Sequence, residues 1–465
     1  MRQHRHERPS SESRIHERNG ETTSRREFLK QGGGALAGAA FAGTLARGAY
    51  AGEDNTIRLA LIGCGGRGSG AVANALSVPD SGPVKLYAMA DVFEDRLNRS
   101  YRALRQKFGD RIDAPPERQF VGFDAYKKAI DCLRPGDVAL LTAYAYCRPT
   151  HYEYAVRKGV NIFMEKPFAS DPAGSHRMLR VNQEAKKKNL KIAGGLMCRH
   201  SVARQAFIEK VRNGELGDLL LIRAYRMGRG GQLPKRPEDR NEVEWQIRHR
   251  VYFFWGGAGR FIELMIHQID ECCWLKDGWP VAAHGMGGRA VNNHSCGQNL
   301  DTYSIEYTFA DGSKAMVYGR DMNRCYNDFA TFVHGTRKAG QFSGNIHAAT
   351  VHTYKDQRMT KDNIDWKADK EPCSPWQAEW NVLLKKIRKD EPHNETERVV
   401  YANLASILGR AAVHYQRVVT WDEVMSSQFA FCPYVDELTF DSPAPVQADA
   451  DGHYPVPIAG QWQEL

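Results

Sequence analysis

No stretch of this chain is long and apolar enough to span a membrane, and its ten cysteines form no C-x-x-C pair and no Cys/His zinc spacing. A membrane span and a structural metal are therefore not expected. Internal repeats and low-complexity linkers are also missing after residue 51, which excludes a solenoid. A strong excess of one charge is lacking too. The formal charge is +9, and the first 51 residues hold nine Lys/Arg against five Asp/Glu, leaving the remainder near +5. So mild and interspersed a balance argues against a nucleic-acid partner. What is present is enough chain after residue 51 for two domains with full cores.

The most informative segment is a buried-strand pattern at 56–62 that runs into a glycine turn. Gly63, Gly65 and Gly68 are spaced G-x-G-x-x-G, with Gly66 and Arg67 inside the turn. One glycine permits the tight turn, one lets backbone approach a pyrophosphate, and one lets the next helix, expected over 69–77, pack against the strand. The phosphates would meet free amides and the positive end of that helix. A second apolar strand at 84–90 ends in Asp91, 23 residues after Gly68, near the ~20 expected of a carboxylate that holds the adenosine ribose. A carboxylate there accepts from both ribose hydroxyls and repels a 2′-phosphate. Val92, Phe93 and Glu94 add no positive charge, so NAD is expected over NADP, although Arg96 is near enough to reach back.

Ahead of the turn, residues 24–30 contain Arg25-Arg26 in a twin-arginine pattern. A Gly/Ala-rich run follows, and Ala49-Tyr-Ala51 offers a small-x-small cleavage site. Residues 1–51 are expected to be an export signal read by the twin-arginine machinery, with a periplasmic or exported product. That route carries folded proteins, which suits a tightly held nucleotide and free thiols formed in a reducing compartment, including those of the adjacent Cys272 and Cys273. It also favours a redox-neutral cycle, because no soluble NADH pool lies outside the cytoplasm.

The pattern expected for 52–195 is a doubly wound parallel sheet: strands near 138–143, 160–164 and 190–196 alternate with helices at 152–158 and 173–188. Strand-like runs at 219–227, 281–291, 303–309, 314–319 and 329–335 then predict a mostly antiparallel sheet, with Asp311-Gly312 as a hairpin turn. Helical periodicity returns at 375–388 and 396–415. The fold class is thus α/β: an N-terminal Rossmann domain, an α+β domain with an open sheet over 196–425, and a C-terminal extension over 426–465.

The glycine turn, Glu165-Lys166-Pro167 at a strand end, His267-Gln-Ile-Asp270, and the later segments 394–400 and 418–421 together resemble the Gfo/Idh/MocA family of NAD(P)-dependent oxidoreductases. The resemblance implies sugar-like or cyclitol substrates and a C-terminal sheet that often builds a homo-oligomer. It makes Lys166 the active-site lysine beside the nicotinamide and His267 the catalytic acid/base. Glu165 would lie near the nicotinamide ribose, and Pro167 would follow a cis or strained peptide bond. Glu263 stands where sugar and inositol dehydrogenases of the family carry an aspartate, one methylene shorter.

Helical character over 261–274 puts Glu263 and His267 on one face. Asp270, also one turn from His267, competes to orient the imidazole. Arg199 and His200 follow the last strand of the first sheet and would sit at the cleft mouth, either contacting substrate or forming an interdomain ion pair. Tyr144 and Tyr146 would pack at the nicotinamide edge. His151 is either catalytic or a helix cap. Residues 252–255 form either a sugar-stacking face or a core or interface strand. Three functions fit: an NAD-dependent oxidoreductase acting on a carbohydrate or cyclitol, an NAD-dependent glycosidase working by transient oxidation, and a non-catalytic sugar-binding protein.

Overall fold

The segment Ile57–Ile62 is apolar at every position but Arg58, and it forms a buried central strand, β1. The computed structural model describes residues 55–290, 294–344 and 350–465; the twin-arginine motif and the cleavage site lie outside them. Beside β1 stand β2 (Val84–Asp91), β3 (Gln119–Val121), β4 (Val138–Leu141), β5 (Asn161–Met164) and β6 (Ile192–Gly194). All pair in parallel, in the order β3-β2-β1-β4-β5-β6. The strand order reverses between β1 and β4, and in such sheets ligands bind in the crevice outside the carboxyl ends at that point. The glycine turn after β1 and residues 142–146 after β4 lie there.

Some boundaries differ from expectation. The first helix starts at Gly66, inside the glycine turn, and runs to Leu76. β3 is unexpected because its three residues are at most half-buried and carry no apolar run. The strand expected at 190–196 shortens to three residues, and Met197–His200 turn into a 3-10 helix. Residues 252–255 are not a strand. They close a 3-10 turn, Arg250–Tyr252, and open a short helix, Phe254–Gly257, with Phe253, Phe254 and Trp255 buried.

The second sheet comprises β7 (Leu219–Gly228), β8 (Ala282–Gly288), β9 (Thr302–Thr308), β10 (Lys314–Asp321), β11 (Phe329–Gly335), β12 (Ala339–Ser343), β13 (His352–Tyr354), β14 (Ile364–Lys367) and β15 (Val419–Thr420). Its order is β14-β13-β12-β11-β7-β10-β9-β8-β15. Every pairing is antiparallel except β7 with β10. The β9–β10 hairpin turns at Asp311-Gly312, where Gly312 takes φ +83°. In β9 the buried Tyr303, Ile305 and Tyr307 alternate with half-buried neighbours, the period of a sheet with one packed face. Against that face lie two long helices, Gly259–Lys276 and Thr396–Tyr415.

The last forty residues return to the first sheet. The Phe431 amide donates to Asp171 at 3.1 Å, and Phe440 packs on Phe93 and Phe123 with ring centroids 6.0 and 4.9 Å apart. Glu464 ends fully buried between Arg410 (3.0 Å) and His414 (2.9 Å).

Candidate functional site

Two adjoining cavities open on either side of the glycine turn. One, of about 260 Å³, is lined by Gly63, Asp91, Phe93, Arg96, Tyr146 and residues 435–439 of the C-terminal segment. The other, of about 670 Å³, holds Gly66, Arg67, Gly68, Glu165, Lys166, Glu263 and His267. Gly65, Arg96, Thr142, Ala143 and Tyr144 belong to both walls.

The turn has the shape a diphosphate requires. Gly63 adopts φ +98°, and a Cβ there would stand 2.3 Å from the Ala143 amide nitrogen. A Cβ on Gly68 would meet the Gly63 carbonyl oxygen at 2.2 Å, so the helix lies directly on the turn. A Cβ on Gly65 would meet no atom within 4 Å: that position faces open space at the helix N-terminus. Asp91 accepts from the Cys64 amide at 2.6 Å and the Phe93 amide at 2.9 Å. Burial raises its carboxyl above the ordinary value, and these two amides act in the opposite direction by favouring the anion. Each oxygen keeps a lone pair for a ribose hydroxyl. These residues fit a dinucleotide.

In the larger cavity Lys166 follows β5, and its peptide bond to Pro167 is cis. Its ammonium donates to the Glu263 carbonyl at 2.6 Å and lies 3.4 Å from the Glu263 carboxylate. The same carboxylate is 3.7 Å from Arg250, whose guanidinium lies 4.0 Å over the Tyr144 ring. Arg67 pairs with Glu165 at 2.7 Å across the turn. His267, one helical turn beyond Glu263, reaches the same space. Lys166, Glu165, Glu263 and His267 are thus brought together with the glycine turn.

Asp270, Arg199 and His200 are not. Asp270 is buried and receives both prongs of the Arg199 guanidinium at 2.8 and 2.9 Å; that guanidinium also lies 4.9 Å from the Trp274 ring centre. His200 faces Glu395 at 3.4 Å. None of the three lines either cavity. For Arg199 and His200 this geometry matches the ion-pair alternative, and it places Asp270 outside both cavities. All three lie in internal pairs that join the helix Gly259–Lys276 and residue 395 to the end of the first sheet. Arg199→Met should lower stability by about 3 kcal/mol, because it leaves a buried carboxylate whose remaining cation among the described residues is Arg398 at 3.9 Å. Thermal unfolding checks this. An unchanged midpoint with weakened substrate binding would return Arg199 to the site.

His151 lines the smaller cavity, stacks on Tyr126 at 4.1 Å and is held neutral by burial, its pKa falling to about 3, so it is no acid/base near neutrality. Tyr144 divides the cavities and accepts from Arg96, whereas Tyr146 packs edge-on to Trp255. Phe253, Phe254 and Trp255 line neither cavity. Arg226, Arg250, Phe329 and Trp376 also line the larger cavity, and nothing in their local sequence marks them.

The arrangement is that of a parallel sheet joined to a mixed one, with a lysine, a glutamate and a histidine converging beside the glycine turn. Residues 205–341 match the family model described as the GFO/IDH/MocA C-terminal domain. No curated protein matches by sequence. Among solved structures, the chain is similar to aldose-aldose oxidoreductase from Caulobacter crescentus in complex with glycerol, with a TM-score of 0.60, 16% identity, and 79% of this chain and 100% of that one covered. It is similar to myo-inositol 2-dehydrogenase from Lactobacillus plantarum, with a TM-score of 0.58, 17% identity, and coverage of 79% and 99%. It is also similar to scyllo-inositol dehydrogenase from Lactobacillus casei with bound NAD(H) and scyllo-inositol, with a TM-score of 0.57, 18% identity, and coverage of 79% and 100%. These likenesses establish the shared fold: a parallel nucleotide-type sheet joined to a mixed, mostly antiparallel one.

Proposed function

We propose that this protein is an oxidoreductase that moves a hydride between a CH–OH carbon of a carbohydrate or cyclitol and a nicotinamide nucleotide, NAD in preference to NADP. The observation that carries this reading is the convergence of Lys166, Glu263 and His267 in the cavity that also contains the glycine turn. The sugar and inositol enzymes that share the fold support it.

The turn at Gly63, Gly65, Gly66 and Gly68 would hold the diphosphate, Asp91 the adenosine ribose, and Glu165 the other ribose. The bound nicotinamide supplies or accepts the hydride. Lys166 donates to the reacting oxygen and offsets charge growing on it. Its contact with the Glu263 carbonyl fixes where that ammonium stands. His267 accepts the hydroxyl proton during oxidation and returns it during reduction. The carboxylate of Asp91, held by two amides, disfavours a 2′-phosphate.

We further read residues 1–51 as a twin-arginine export segment, on Arg25-Arg26 and Ala49-Tyr-Ala51. We also read the second sheet as the face through which a homo-oligomer would join, as the resemblance implies. Mass spectrometry of the exported protein tests location and cofactor together: a chain starting at Gly52 with NAD bound is expected. A retained, uncleaved chain overturns export, and a protein that binds no nicotinamide nucleotide overturns the whole reading. Titration of the loaded protein with sugars and cyclitols should change the reduced-nicotinamide absorbance. Tight sugar binding without that change would make it a binding protein instead.

A further inference from the structure

The larger cavity is lined by cations that the glycine turn does not engage. Six arginine and lysine side chains and two glutamates line it. Arg67 is paired with Glu165, Arg99 pairs with Asp95 at 3.5 Å, and Arg96 lies in the field of Asp91, so these three do not add to the surplus. Glu263 is shared between Lys166 and Arg250, at 3.4 and 3.7 Å, so one carboxylate faces two cations. Arg226 is the most telling. It is half-buried, its guanidinium lies 3.8 Å over the Phe329 ring, and among the described residues it makes no hydrogen bond or salt bridge. Asp321, the carboxylate nearest it in charge, is bonded to Arg260. A guanidinium presents five donors in a planar fork, and one that faces a cavity with none engaged is arranged for a planar or tetrahedral anion. Phe329 and Trp376 line the same wall and pack against Met197 and Cys198.

We infer that the substrate is an anionic sugar or polyol, one bearing a carboxylate or phosphate group, whose charged group is received by Arg226 with Arg250. This rests on the proposed function for the position of the reacting carbon, but not for the recognition of the anion. Lys166 then faces the hydroxyl-bearing carbon, and Arg226 decides which polyols enter.

The test is calorimetric titration of the nucleotide-loaded protein with a hexuronate, a hexose phosphate and the matching neutral hexose. At least one anionic probe should bind about tenfold tighter than the hexose, the scale of a hydrogen-bonded charge pair. Which of the two does so separates carboxylate from phosphate. Arg226→Met should remove most of that gap. Arg226→Lys, which keeps the charge but loses the fork, should keep part of it and guards against a folding defect in the first variant. Equal or tighter binding of the hexose, binding of none of the three, or an anionic preference untouched in Arg226→Met overturns the inference. Absorbance of the bound nicotinamide separates the two readings. Anion binding without hydride transfer would remove the oxidoreductase and leave the anion site. Hydride transfer from the neutral hexose without anionic preference would do the reverse.

Discussion

Replacing Lys166 by methionine should lower kcat by about 10²–10³ on whichever polyol the native protein turns over, with a much smaller change in nucleotide affinity. Methionine preserves most of the volume and removes the ammonium. The change is confined to the reacting end of the cavity, since the Glu263 carboxylate keeps Arg250 at 3.7 Å. The Glu263 carbonyl loses a donor at 2.6 Å but belongs to the continuous helix Gly259–Lys276. Stopped-flow measurement of bound-nicotinamide absorbance isolates the chemical step from product release. A native hydride-transfer rate in the variant would show that no charge develops against this ammonium, and the proposed role of Lys166 would be lost.

Gly63→Ala should remove nucleotide binding and destabilise the fold, by about 3 kcal/mol or more. Two costs combine. The residue sits at φ +98°, a region an alanine rarely adopts, and its Cβ would fall 2.3 Å from one backbone nitrogen and 2.6 Å from a backbone carbon in β4's continuation. Backbone cannot swing aside as a side chain would, so the ends of β1 and β4 must separate at the point where the crevice forms. Gly65→Ala is the control. Its φ of −77° suits any residue and its Cβ meets nothing. That variant should melt as the native protein does while binding nucleotide more weakly, because the new methyl stands where the diphosphate would approach. Differential scanning calorimetry and nucleotide titration read the two effects separately. Equal stability of the two variants would mean that the turn tolerates a side chain at Gly63 and that its geometry is not dictated by the close approach of β4.

The resemblance carried more of the site than the fold alone would have. Lys166, Glu263 and His267 are singled out by short motifs, and the helix Gly259–Lys276 keeps the last two on one face by local periodicity. Asp270 shows the limit of such spacing. It also lies within a turn of His267, yet Arg199, 71 residues away in sequence, captures it. Arg226 is one of many arginines in the chain; only the packing of β7 beside Phe329 of β11 reveals that its guanidinium lies over that ring and, among the described residues, makes no hydrogen bond. Residues 252–255 misled because four successive aromatics suit a strand, whereas burial among Tyr146, Gln246 and Tyr454 holds them in helical turns.

What the chain determines by itself is local. An apolar run meeting spaced glycines encodes β1 and its turn, because conformational freedom and strand burial act over a few residues. The helices at Pro375–Arg388 and Thr396–Tyr415 follow from 3.6-residue periodicity in the same way. Tertiary structure alone decided which charges pair with each other and which face the cavity. It also brought residues 435–439 onto the Asp91 side of the turn. The physical reason is that a charge's role depends on its nearest opposite charge in space, and that partner is usually distant along the chain.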